Sequence, residues 1–232
     1  MGRFVNVFAL SIFRDKIALD ADYKAELVRA ILDMEQATPP QAKSATTAWL
    51  GDTRGFEFLF SRPEFGRLYR EIAAKVLAYT EALGIDNELV EFFFQRSWAT
   101  ISRRGERISE HAHEQSNITF AYYLAKPAYS GGVSFNTYDH PNELARGLFS
   151  PKKASLGLIK TPSMHTWNTV QIEPDEDEIV IFPSKTLHAT AANATDTPRI
   201  SISADISMLL RDSRGHETMM PHFSNWRSFD GL

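Results

Sequence analysis

Arg199-Ile-Ser-Ile-Ser-Ala-Asp-Ile206 alternates polar and apolar residues without a break. Successive side chains of a β-strand point to opposite faces, so Arg199, Ser201, Ser203 and Asp205 share one face and Ile200, Ile202, Ala204 and Ile206 the other. A strand at the surface would turn its polar face to water. Here the upstream chain supplies helices that need an apolar sheet face to cover, and the Ile face is their natural partner. The Arg face then lines a cavity. A guanidinium in a cavity needs an anion, and its planar fork matches a carboxylate at two points.

The helices lie in the first 95 residues. Leu27, Ile31 and Met34 recur at helical spacing within 21–37, and Pro39-Pro40 stops the pattern. Ser61-Arg-Pro-Glu64 has the form of a capping box, and Phe65, Leu68, Tyr69, Ile72, Val76 and Leu83 follow on one face up to Gly84. A short third helix is expected after Asp86, running into Glu91-Phe-Phe-Phe94. The apolar opening Phe4 to Phe13 reads as a first strand, and residues 41–55 as a loop.

From about Arg96 the chain changes to short β-rich segments. Asn117 to Leu124 sets Asn117, Thr119, Ala121 and Tyr123 against Ile118, Phe120, Tyr122 and Leu124. Gly131-Gly132 marks a turn into Val133-Ser-Phe135, and Glu178-Ile-Val-Ile-Phe182 is a strand. Residues 136–177 are irregular and proline-interrupted, a length that usually carries function or wraps the fold. Between the strands sits Glu110-His-Ala-His-Glu-Gln115. If extended, it points His111 and His113 to one side, where one metal ion can bind both, with His188 as a distant third. Taken alone, a His-x-His pair is more often a solvated surface loop.

At 232 residues the chain fits one large domain, 1–232, with supporting elements in 1–95, a β core in 96–206 and a C-terminal extension in 207–232. A hydrophobic fraction of 43% excludes a disordered chain. The net charge of −4 leaves no footprint for nucleic acid or an anionic membrane. With no cysteine, a metal must use His, Asp or Glu. No apolar run reaches the roughly 18 residues of a membrane span, and a cytoplasmic protein is the simplest expectation.

In order, His111-x-His113, His188 and Arg199-Ile-Ser201 resemble the active-site frame of iron(II)- and 2-oxoglutarate-dependent oxygenases. Within that superfamily, the group described only as 2-oxoglutarate/iron(II) oxygenases is matched by Trp98, Gly105, His111-Ala-His113, Ser116, Tyr122-Tyr-Leu124, Gly131-Gly132, Phe182-Pro-Ser184, His188 and Arg199-Ile-Ser-Ile-Ser203. The resemblance implies a mainly β fold with N-terminal helices: a double-stranded β-helix, jelly-roll and cupin-like, with helices packed on one sheet. It implies Fe(II) held by His111, His113 and His188, and 2-oxoglutarate as cosubstrate gripped by Arg199, Tyr123 and Ser201. In prolyl-hydroxylase-like members the second Tyr of Tyr-Tyr-Leu donates to the distal carboxylate, a role that falls here on Tyr123. The implied reaction couples oxidative decarboxylation of 2-oxoglutarate by O2 to C–H oxidation, commonly hydroxylation, of a small-molecule or amino-acid-like substrate. A homodimer is compatible with this reading.

One departure stands out. The usual triad is two His and one carboxylate, and this chain has His113 where the carboxylate belongs. Glu110, Glu114 and Asp139 are the fallback carboxylates, while His140, His165, His216 and His222 read as surface, core or lid residues. Trp98, Thr100 and Asn117 are candidates for the pocket wall. Two other classes compete: a cupin-like isomerase or direct dioxygenase working without 2-oxoglutarate, and a non-catalytic ligand-binding barrel. Arg199 with Tyr123 speaks against the first, the complete ligand set against the second.

Overall fold

A computed structural model describes the chain except for residues 1, 2, 4, 43–45, 217, 218 and 232. Nine strands, β1 (Phe13–Lys16), β2 (Trp49–Leu50), β3 (Val90–Ser102), β4 (Ile118–Ala125), β5 (Val133–Asn136), β6 (Thr169–Ile172), β7 (Glu178–Pro183), β8 (His188–Thr190) and β9 (Arg199–Leu210), form two antiparallel sheets among the described residues. The large sheet has the order β1-β7-β4-β9-β3-β2 and the small one β6-β5-β8. This is the expected double-stranded β-helix.

Helix α1 (Ala21–Gln36) starts at Asp20, whose carboxylate accepts the amide of Tyr23 at 2.9 Å. It buries Leu27, Ile31 and Met34, and α2 (Gly66–Ala82) buries Leu68, Ile72 and Val76. Both pack on the apolar face of the large sheet in one cluster with Ile200, Ile202, Ala204 and Ile206. Each buried aliphatic side chain there contributes roughly 1.5–3 kcal/mol. The opposite face of β9 turns Arg199, Ser201, Ser203 and Asp205 into a cavity.

Several local expectations are corrected. Glu91-Phe-Phe-Phe94 is strand, not helix: Val90 to Phe94 pair with Leu210 to Ile206 of β9. Aromatic residues suit a pleated surface covered on both faces, and this one is. Phe92 and Phe94 join the helix-side cluster, while Phe93 meets Phe223 at 4.9 Å on the other side. Helix α2 begins at Gly66, not after Ser61, because 63–65 form a separate tight turn and Ser61 makes no cap. The first strand is Phe13–Lys16; Val5, Val7 and Phe8 before it are exposed, and Phe4 lies outside the described residues. Within 41–55, Trp49–Leu50 pair with β3, and 43–45 are outside the described residues. The irregular 136–177 contributes β6, an edge of the small sheet.

The pairing of β3 with β9 shifts between Phe94 and Arg96, leaving Gln95 as an extra residue. Such a bulge reverses the facing of everything beyond it. Phe92 and Phe94 face the helices, yet Arg96, Trp98 and Thr100, also even-numbered, sit opposite Asp205, Ser203 and Ser201 on the cavity face.

Candidate metal centre

The segment before β4 closes the cavity against β8. His111 and His188 exchange both backbone hydrogen bonds, at 3.0 and 2.9 Å, and the His113 amide donates to Ser184 at 2.9 Å. The stretch is held by one isolated bridge rather than a regular strand, but the two rings point the same way. His111, His113 and His188 form a cluster whose ligand atoms lie within 4.8 Å of one another, with His111 Nε2 and His113 Nε2 3.2 Å apart. Phe182 packs edge-on to His188 at 4.8 Å, and Trp98 stacks on His113 at 5.7 Å and 18°.

The hydrogen bonds behind the rings decide what the cluster can hold. Nδ1 of His111 faces the carbonyl of Ser109 at 2.9 Å, Nδ1 of His188 faces that of Thr186 at 2.8 Å, and Nδ1 of His113 faces the Asp205 carboxylate. Each acceptor requires an N–H, so the proton belongs on Nδ1 and the lone pair on Nε2. Three lone pairs then converge. Burial lowers the His111 pKa and brings that of His188 down to about 4, which keeps both rings neutral, as ligands must be. The donor set fits a divalent transition metal such as iron.

At another part of the same cavity Arg199 is 1% exposed. Its Nη1 donates to the carbonyls of Ser130, Gly131 and Ala191 at 2.8, 3.0 and 3.2 Å; Nη2 donates to Ser102 Oγ at 2.9 Å and Thr190 Oγ1 at 3.1 Å. Every one of these acceptors is neutral. Among the described residues no carboxylate hydrogen-bonds to it; burial pulls its pKa down, against smaller opposing effects of Tyr123 and the more distant Glu173. The Gly131-Gly132 turn makes this close approach: a Cβ on Gly131 would lie 2.6 Å from the Ala191 carbonyl oxygen, and one on Gly132 2.1 Å from that of Ile172. Tyr123 and Ser201 pair in register and line the cavity beside Arg199. Burial raises the Tyr123 pKa to about 12, so the phenol stays a donor.

The remaining candidates fall elsewhere. Glu110 is exposed at the cavity rim and accepts from the Tyr138 hydroxyl at 2.5 Å; Glu114 and Asp139 are exposed and outside the cluster. His140 packs on Phe149, and His222 on Phe93. Neither they nor His165 and His216 belong to the cluster. Trp98 lines the cavity, whereas Asn117 caps the amide of Met208 and the buried Thr100 hydroxyl has no partner. Missed at sequence level was Asp205, although its place six residues from Arg199 on the same strand face was a usable signal.

Residues 96–205 match the model of a family described as putative 2OG-Fe(II) oxygenase. That span contains the three histidines, Tyr123, Arg199 and Asp205. Over that span the chain is similar to the 2OG-Fe(II) oxygenases. Solved structures share the fold. A Pseudomonas putida prolyl-4-hydroxylase aligns at TM-score 0.52 and 12% identity, over 85% of this chain and 92% of that one. EctD from S. alaskensis with bound Fe aligns at 0.54 and 15%, over 85% and 73%. HygX from Streptomyces hygroscopicus with nickel and 2-oxoglutarate bound aligns at 0.53 and 10%, over 92% and 91%. No curated protein sequence matches this chain. Among its described residues no helix is long and apolar enough to cross a membrane.

Proposed function

We propose that this oxygenase holds Fe(II) on His111, His113 and His188, binds 2-oxoglutarate with its distal carboxylate on Arg199, and hydroxylates a small, amino-acid-like substrate. The observation that carries the reading is the buried Arg199 guanidinium, which has only neutral partners and shares a cavity with three converging imidazoles. An unpaired cation in a dry site is costly, and a ligand carboxylate removes that cost. Bound iron would supply oxygen activation, coupled to decarboxylation of the cosubstrate.

The chain's own residues divide the remaining work. Tyr123 donates its phenolic proton to the same carboxylate, and Ser201 lies opposite it across the strand pair. Phe182, Val133 and Trp98 wall the cavity and exclude water from the reacting centre. The cavity, about 410 Å³, suits a small molecule. Near the metal it carries the Arg96–Asp52 ion pair, 2.5 Å long, and the Asp52 oxygen Oδ1 has no partner. A substrate that offers a hydrogen-bond donor, such as an amino group, to that oxygen matches this end of the cavity.

The test is succinate formation by anaerobically iron-loaded protein exposed to O2 and 2-oxoglutarate without a prime substrate. Slow turnover is expected, lost in His188→Ala. Absence of both iron binding and succinate above background overturns the reading.

A further inference from the structure

We propose that Asp205 supplies, through His113, the negative charge that a third imidazole in place of a carboxylate withholds from the metal. This rests on the metal-site reading above and assigns Asp205 as a positioning residue whose contribution is charge.

Three observations carry it. First, the carboxylate is selective. The Nδ1 atoms of His111 and His188 face neutral backbone carbonyls, and only His113 backs onto an anion. His113 is also the ligand that stands where the usual triad has its carboxylate. The charge has moved one bond network outward rather than vanished.

Second, Asp205 cannot itself be a ligand. Its oxygen meets Nδ1, across the ring from the Nε2 atom that joins the cluster. The side chain is fully buried at 0% exposure, and a buried carboxylate is too costly to serve as filler. It is held by Gln115 Nε2 at 3.0 Å and Ser116 Oγ at 3.4 Å, with the Arg96 guanidinium 3.9 Å away. An anion hydrogen-bonded to a ligand imidazole raises its basicity.

Third, the ring does not need Asp205 merely to be aimed. Trp98 stacks on one side of His113 at 5.7 Å and His188 lies 5.2 Å away at 23°. Packing fixes the plane, and the peptide hydrogen bond to Ser184 fixes the backbone.

Asp205→Asn keeps the shape and an acceptor for Nδ1–H but deletes the charge. The assay titrates anaerobic metal-free full-length protein with Co(II) and with Fe(II), records the Co(II) absorption spectrum, and melts the metal-free protein. The expected result is about 10–100-fold weaker metal binding, an altered Co(II) spectrum and a folded protein. A folded Asp205→Asn protein with wild-type affinity and spectrum overturns the proposal. If that variant does not fold, Gln115→Met decides. It removes a donor that competes for the carboxylate, so affinity should rise, on the order of two- to threefold, through a more basic His113. A merely structural clamp would loosen, and a fall in affinity would overturn the proposal. Wild-type protein that binds neither metal overturns the metal site itself; wild-type binding with an unaffected Asp205→Asn overturns this proposal alone.

Discussion

Arg199 and Asp205 begin and nearly end the cavity face of one strand, and their surroundings differ in kind. Both are buried, at 1% and 0% exposure. Asp205 is answered by His113, Gln115 and Ser116, with a cation at 3.9 Å. Arg199 is answered by five oxygen atoms, none charged. A buried charge whose surroundings balance it is part of the scaffold of a site, and one left unbalanced marks where a charged ligand belongs. Under the proposed function, the first would support the metal end and the second would receive the cosubstrate carboxylate.

The comparison breaks most completely at the metal end. His113→Ala and His188→Ala should each weaken Fe(II) binding by more than the roughly 100-fold ceiling seen when an outer partner is lost. Glu110→Ala and Glu114→Ala should leave it within error, since neither joins the cluster. Anaerobic iron titration of the four variants checks this; an emptied site in Glu114→Ala would return the ligand role to a carboxylate.

At the other end, Arg199→Ala should cost 2-oxoglutarate about 2–5 kcal/mol of binding while iron is retained. Calorimetry of the metal-loaded variant measures it. The thermal stabilisation that 2-oxoglutarate gives the wild type should disappear in parallel. Unchanged affinity would detach the unbalanced cation from the cosubstrate.

The metal end also has a pH signature without metal. The folded His188 pKa is depressed to about 4 by burial, below the ordinary value near 6.5. The unfolded chain therefore takes up the proton first. Stability is complete above about 6.5 and is lost as pH falls from there toward 4, by at most about 3 kcal/mol from this group. Urea midpoints of metal-free protein at pH 7 and 4.5 give the difference, which should shrink in His188→Asn.

Tyr123→Phe is the smallest of these changes. It removes one neutral donor to a charged acceptor while Arg199 remains, so 2-oxoglutarate binding should weaken by about 1.5 kcal/mol, short of the Arg199→Ala effect. A loss as large as that of Arg199→Ala would make the phenol the principal grip.

Alternation alone determined which residues of Arg199–Ile206 and Ile118–Tyr123 face the helices and which face the cavity, because a paired strand keeps its two-residue period as long as its register is unbroken. The order His-x-His, His, Arg pointed to the chemistry because those side chains are the ones iron and a dicarboxylate require. What lay beyond the sequence needed partners distant along the chain. Glu91-Phe-Phe-Phe94 is strand because β9 is there to pair with it, and its aromatic residues, at home on a pleated surface, agree with that pairing rather than with a helix. The bulge at Gln95 was invisible to periodicity, since one unpaired residue flips the facing of Arg96, Trp98 and Thr100 without any change of composition. Asp205 could be assigned to a face from the sequence, but its partner 92 residues away could not, because whether a buried carboxylate meets His113 is decided by packing in space rather than spacing along the chain.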